Sequence, residues 1–186
     1  AADNEKIVWG ILDFAPVYIV KGNHQGQGSG DQTLELITQR LRRYQHEKVI
    51  TNISRLLEQI KTGNQICHPA SVKTPEREEY GIYSKQVLIG STHRIIMSTA
   101  TAEAKNLQNG VNIHKLLADP SLRGGFATGR SYGPIIDNAV EQHKASKHLF
   151  FANGADLTET LMKMLTNDRI DYIVEYPWIV SYFKER

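Results

Sequence analysis

Residues 68–78 read HPASVKTPERE, and the Thr-Pro-Glu-Arg run at 74–77 decides how the rest of the chain is read. Arg77 follows a Thr-Pro-Glu turn, which itself follows a short apolar stretch. Taken alone, Arg77 reads as a surface arginine paired with Glu76, Glu78 or Glu79. The alternative is an arginine placed to hold an anion, because a guanidinium offers two parallel donors that match a carboxylate or a phosphate. The order of the pieces on either side separates the two readings.

Composition sets outer bounds. The chain has 186 residues, 40% hydrophobic and 23% charged, which is enough for a real core in one domain or two small ones. A net charge of +2 calls for neither nucleic acid nor an acidic membrane surface. No apolar run approaches the roughly 20 residues of a membrane helix. The single cysteine, Cys67, has no partner within the chain and reads as a small buried hydrophobe, the other reading being a pair with a cysteine outside this chain. The start, AADNEK, has the small residues that secretory cleavage leaves, and this suggests an exported chain.

Upstream of the quoted stretch, KIVWGIL (6–12) reads as a buried strand that runs into DFAPVY, where Pro16 breaks any ladder. KGNHQGQGSGD (21–31) is a glycine-rich turn, with Asp31 as the expected N-cap of a helix carrying Leu34, Ile37 and Leu41 on one face. Ile53, Leu56, Leu57 and Ile60 mark a second helix, stopped at Gly63. QICHP (65–69), QVLIG (86–90) and HRIIMST (93–99) read as strands. The polar segment from 100 to 112 reads as a crossover.

Downstream, a second α/β unit follows. RGGFATGRSYG (123–133) is a strand running into a loop. A helix then carries Tyr132, Ile135, Ile136, Ala139, Val140 and His143 at helical spacing. KHLFFA (147–152) is a strand. DLTETLMKMLT (156–166) is a helix with Leu157, Leu161, Met164 and Leu165 inward. RIDYIVEYP (169–177) is a strand ending at Pro177. Alternating strands and helices predict a mainly parallel sheet in each half.

This order resembles the bacterial extracellular solute-binding proteins of family 3, with the type 2 periplasmic binding fold. TPER (74–77) matches the family's T-x-x-R segment, IYS (82–84) matches in part, and NDRIDYIVEY looks like its G-R-x-D-A strand. The pattern W-G-x-x-D-F-x-P, an N-x-x-R before the helix and a cysteine near 67 are similar to those of a proteobacterial subgroup. The resemblance implies an α/β, two-lobed fold, each lobe a mainly parallel sheet flanked by helices. Residues 1–95 would be the first part of lobe 1 and 96–180 lobe 2. Residues 181–186 would start the return crossover that completes lobe 1 in the family, the remainder being absent.

The resemblance also implies site residues. Arg77 matches the arginine that takes a ligand carboxylate in amino-acid-binding members, and Phe14 matches an aromatic packed over the ligand, a core role being the other reading of Phe14. Asp13 could bind a cation or a ligand amine, or cap the loop. Ser71 is the one hydroxyl in Ala70–Ser71–Val72, out of step with the family's pattern. In the second lobe Thr128, Arg130, Ser131 and Tyr132 sit where a helix start would present N–H groups to an anion; simple capping by Ser131 is the other reading. The position five after Asp171, where amino-acid-binding members hold an acid for the amine, is Tyr176, with Glu175 one before it. These two lie on opposite faces of a strand.

The expected function is capture of a small polar or anionic solute, amino-acid-like or carboxylate, between two lobes in the periplasm. Hinges are expected near 95–103 and 180. A membrane transporter or a periplasmic protein assembly would be the protein partner. The expectation includes no catalysis, no cofactor, no metal and no nucleic acid. His143 and His148 are five apart, which is not zinc spacing, and GQGSGD is not a dinucleotide-binding loop. Two alternatives stand beside it. One is an accessory or scaffold role in a larger assembly. The other is a lyase or dehydratase using Glu175 or Asp13 as an acid–base group.

Overall fold

The apolar run at 6–12 becomes β1 (Lys6–Leu12), with Trp9, Gly10 and Ile11 buried at its middle. It is the central strand of a parallel sheet in the order β2-β1-β3, flanked by β2 (Gln45–Thr51) and β3 (Ile66–Cys67). The computed structural model describes residues 5–86, 89–108 and 110–185, and the chain divides into units 1–89 and 90–186. In the first unit, α1 (Ser29–Arg40) and α2 (Ile53–Lys61) each bury a leucine, Leu34 and Leu56. Gly10 makes the second contact possible: a Cβ there would lie 2.6 Å from the Leu56 Cδ1. Trp9, Ile11, Tyr18 and Leu34 form the buried cluster. α3 (Pro75–Glu78) is a single turn holding Arg77.

The second unit contains β4 (Arg94–Met97), α4 (Thr99–Ala104), α5 (Ile113–Ala118), β5 (Gly124–Ala127), α6 (Pro134–His143), β6 (Leu149–Ala152), α7 (Leu157–Thr166), β7 (Tyr172–Glu175) and α8 (Pro177–Lys184). Its sheet runs β4-β7-β5-β6, with β5 parallel to β6 and β7, and β4 antiparallel to β7. Leu116, Leu117, Phe126, Tyr132, Tyr172 and Val174 are part of one buried cluster. Gly124 leaves room for the Tyr172 ring, which a Cβ would meet at 2.5 Å. At the start of the strands Asp171 receives Arg123 through its backbone amide and guanidinium, and that hydrogen bonding holds its carboxyl below the usual range.

The mixed α/β architecture with helix-flanked, mainly parallel sheets is as expected. Several local expectations need correction. α1 is capped by Gly28, not Asp31; the Asp31 carboxylate instead accepts the Gly28 and Ile19 amides, both at 3.0 Å. Leu41 lies beyond the helix as its C-cap. β2 was not expected, because QHEKVIT is mostly exposed and is ordered by its backbone ladder to β1. Of QVLIG, Val87 and Leu88 lie outside the described residues, and the remaining residues form no strand. The 100–112 crossover begins inside α4, a helix without a buried residue and so without an apolar period to read. Pro177 does not end a strand in coil but opens α8, where its missing N–H costs nothing. Ile135 points outward at 74% exposure rather than into the core. Cys67 is exposed, since β3 lies at the sheet edge; partial burial still raises its thiol pKa.

Candidate functional site

In the first unit, the expected residues lie on the segments that follow β1 and β3. Thr74 caps α3, its hydroxyl oxygen accepting the Arg77 amide at 3.3 Å, and Pro75 opens the turn. Arg77 is buried, at 7% exposure, and its Nη1 donates to the Val72 carbonyl at 2.9 Å. Two acids beside it are directed elsewhere: Glu76 to Lys61 at 3.4 Å and Glu78 to Lys73 at 2.7 Å. Arg77 is therefore not the solvated surface arginine of the plainer reading. The Val72 carbonyl also accepts the Tyr83 hydroxyl at 3.3 Å, and Ser71 Oγ lies 3.2 Å from the same hydroxyl. Ser71 is thus tied to its own loop.

Asp13 follows β1 and forms an ion pair with Lys21 at 3.4 Å. Phe14 closes a tight turn: its carbonyl accepts the Val17 and Tyr18 amides, and its amide donates to the Tyr18 carbonyl. His68 was given no role by the sequence, yet it sits at this strand end. Its Nδ1 is 2.8 Å from the Gly10 carbonyl, which can only accept, so Nδ1 carries the proton. Burial depresses the His68 pKa; the Gly10 hydrogen bond opposes this and Arg77 adds to it.

In the second unit, Glu175 and Arg130 form a buried ion pair where β7 and β5 end. Arg130 Nη1 donates to Glu175 Oε2 at 2.5 Å and Nη2 to the Thr158 hydroxyl oxygen at 2.7 Å. The Glu175 side chain is 1% exposed and its other oxygen accepts the Tyr176 amide at 3.0 Å. The turn at 128–133 differs from the expected open anion cradle. Asp137 Oδ1 accepts the Tyr132 amide at 2.7 Å and its Oδ2 the Ser131 hydroxyl at 2.6 Å. The Thr128 amide donates to the Ala152 carbonyl. An internal carboxylate thus occupies the start of α6. Ser131 does not cap the helix; Gly133 stands at that position. The Tyr132 phenol oxygen accepts the Ala127 amide at 2.7 Å, and burial raises its pKa to about 12.

Tyr176 lies just beyond β7, as the N-cap of α8, so strand alternation does not govern it. Tyr176 stacks on His93 with ring centres 3.9 Å apart and on Trp178 at 5.1 Å. His93 also meets the Tyr132 ring edge at 5.2 Å. Burial and then Arg130 push its pKa down to about 4, against Asp137 and a hydrogen bond to the Tyr132 backbone. His93, Thr158 and Asp137 were missed because no motif marks them. Among the described residues no group of acids, histidines and cysteine could hold a metal ion, and no helix is long and apolar enough to cross a membrane.

Solved structures with this chain's architecture fix the fold. An amino acid ABC transporter substrate-binding protein of Streptococcus pneumoniae, bound to L-arginine, superposes with TM-score 0.70 at 18% identity, over 100% of this chain and 73% of that one. The chain has the type 2 periplasmic-binding-protein fold. The periplasmic VFT2 domain of Bordetella pertussis BvgS gives TM-score 0.67 at 18% identity, over 100% and 72%. An ancestral amino acid-binding protein, a precursor of cyclohexadienyl dehydratase, gives 0.68 at 14% identity, over 98% and 75%. No protein-family model matches the sequence, and no curated protein matches it. The type 2 fold is thus what the TPER-centred order of elements had implied.

Proposed function

We propose that this chain binds a small polar or anionic solute in the periplasm, captured between its two lobes by hinge closure, with Arg77 as the anion clamp. The observation that carries this reading is the setting of Arg77. Its guanidinium is buried, positioned by a neutral backbone carbonyl, and two of its neighbouring acids are bonded to lysines. Similar structures include an arginine-bound transporter component and an amino acid-binding ancestor, which supports small-molecule capture as the general activity. Delivery to a membrane transporter or a periplasmic assembly would follow binding. Closure on a solute requires contacts in both lobes, so affinity depends on each.

Catalysis has less support. Asp13 and Glu175, the carboxylates available for acid–base work, are each held in an ion pair. A scaffold role is favoured by one specific observation: Ser71, the lone hydroxyl before the arginine, is engaged by Tyr83. Thermal-shift titration of the full chain separates these readings. Carboxylates, sugar phosphates and amino acids are screened against the wild type and Arg77→Gln. A solute at about a hundredfold above its Kd stabilises by roughly 2.7 kcal/mol, a readily seen shift. The expected result is a shift in the wild type that the variant loses. No shift with any compound would leave the scaffold reading in its place.

A further inference from the structure

We infer, resting on the solute-binding reading above but on residues of the first unit alone, that His68 binds the solute and that the group it receives is a hydrogen-bond donor, a hydroxyl or an N–H. The ring is held by one nitrogen. Nδ1 lies 2.8 Å from the carbonyl of Gly10 on β1. A carbonyl only accepts, so Nδ1 carries the proton, and a neutral imidazole then has a bare lone pair on Nε2. Burial favours this neutral form by lowering the ring's pKa; the Gly10 bond opposes the shift and Arg77 adds to it. The Tyr18 ring flanks the imidazole, with centres 6.3 Å apart. Among the described residues nothing donates to Nε2, and Nε2 is not one of the polar atoms closed off from water without a partner. His68 follows β3 directly and precedes the loop of Ser71 and the cap Thr74. A solute that settles on this segment displaces the water at Nε2. It must then supply a donor in place of that water or leave the lone pair unpaired. A keto or carboxylate oxygen at this point offers only a second lone pair.

His68 is therefore a specificity-determining residue: it selects solutes that bring a hydroxyl or amine and disfavours those that bring only acceptors. The test is calorimetric titration of the full chain at pH 7 with series that differ at one carbon: propionate, pyruvate, L-lactate and L-alanine; succinate, L-malate and L-aspartate; 3-phenylpropionate, 3-phenyllactate and L-phenylalanine. In at least one series the hydroxy or amino member is expected to bind about tenfold tighter than the members without a donor, the scale of one unmatched polar group. Two variants separate this role from a purely structural one. In His68→Asn the short amide still reaches the Gly10 carbonyl but places nothing where Nε2 stood, so the urea midpoint should hold while the preference vanishes. His68→Gln carries an acceptor oxygen out to that position, and part of the preference should remain. Circular dichroism verifies both folds, and the wild-type ranking stands whether or not a variant folds. Donor-free members that bind as well as their hydroxy and amino partners overturn the inference and leave solute binding standing. A preference unchanged in folded His68→Asn overturns the role of His68. Binding of no member of any series removes the solute-binding reading on which the inference rests.

Discussion

The two units hold their buried arginines in opposite ways. Arg77 rides on a one-turn helix and reaches a carbonyl five residues back in its own loop. Arg130 lies on a loop and is held by Glu175 and Thr158, which are 45 and 28 residues away on other elements. The Arg77 guanidinium meets a neutral carbonyl from its own loop, whereas that of Arg130 meets a carboxylate from another element. The first bond is local to one loop, while the second ties the ends of β5 and β7 to α7. The same contrast runs through the cores. The first unit buries a small cluster around Trp9 and Leu34, whereas the second buries a larger one around Phe126 and Tyr172, with a polar network at its edge.

The sharpest way to break this comparison is Glu175→Ala. It leaves Arg130, 16% exposed, without its counter-ion, and removal of one partner of a buried pair costs about 3–5 kcal/mol. Urea unfolding measures it as a lowered midpoint. A loss below about 1 kcal/mol would mean that the pair is not structural and that the two arginines are alike. The next largest effect belongs to Tyr132→Phe, which removes the phenol oxygen that receives the buried Ala127 amide. An orphaned buried amide costs about 1–3 kcal/mol. Hydrogen exchange should show faster exchange at Ala127 in this variant.

The sequence made one arginine far more legible than the other, and the reason is range. TPER is a contiguous turn: the cap, the proline and the arginine act on each other within four positions, so the local pattern carries the geometry. The Arg130–Glu175 pair joins two strand ends by tertiary packing, and no spacing between 130 and 175 announces it. Asp137 sits four residues beyond Gly133, outside the turn read as an anion cradle, so its carboxylate was not anticipated there. The helix and strand periods around Leu56, Leu161 and β1 were legible because burial writes an apolar repeat. α4 and β2 bury almost nothing and left no repeat to find.

Arg77→Met sharpens the contrast from the other side. Loss of its bond to the Val72 carbonyl, which keeps the Tyr83 hydroxyl, contributes about 1 kcal/mol, and a total loss below that of Glu175→Ala is expected. The same urea experiment checks it. Equal losses in the two variants would show that Arg77, too, is held chiefly by charge.

The smallest effect is a pH dependence that reports on Arg130 through His93. Burial and Arg130 lower the His93 pKa to about 4 in the folded state, while an unfolded histidine titrates near 6.5. Between those values the unfolded chain binds a proton that the folded chain does not, so this residue's contribution to stability falls as pH drops from about 6.5 towards 4 and is flat below. Asp137, Tyr132 and Tyr176 also face the ring. Thermal midpoints of wild type and His93→Gln at pH 7 and 4.5 isolate the term: the wild type should lose more. Adding Arg130→Met to the wild-type background withdraws the second cause of the depression, so its His93-dependent loss should shrink. An unchanged loss would mean that burial alone holds His93 neutral and that Glu175 cancels the charge of Arg130 at the ring.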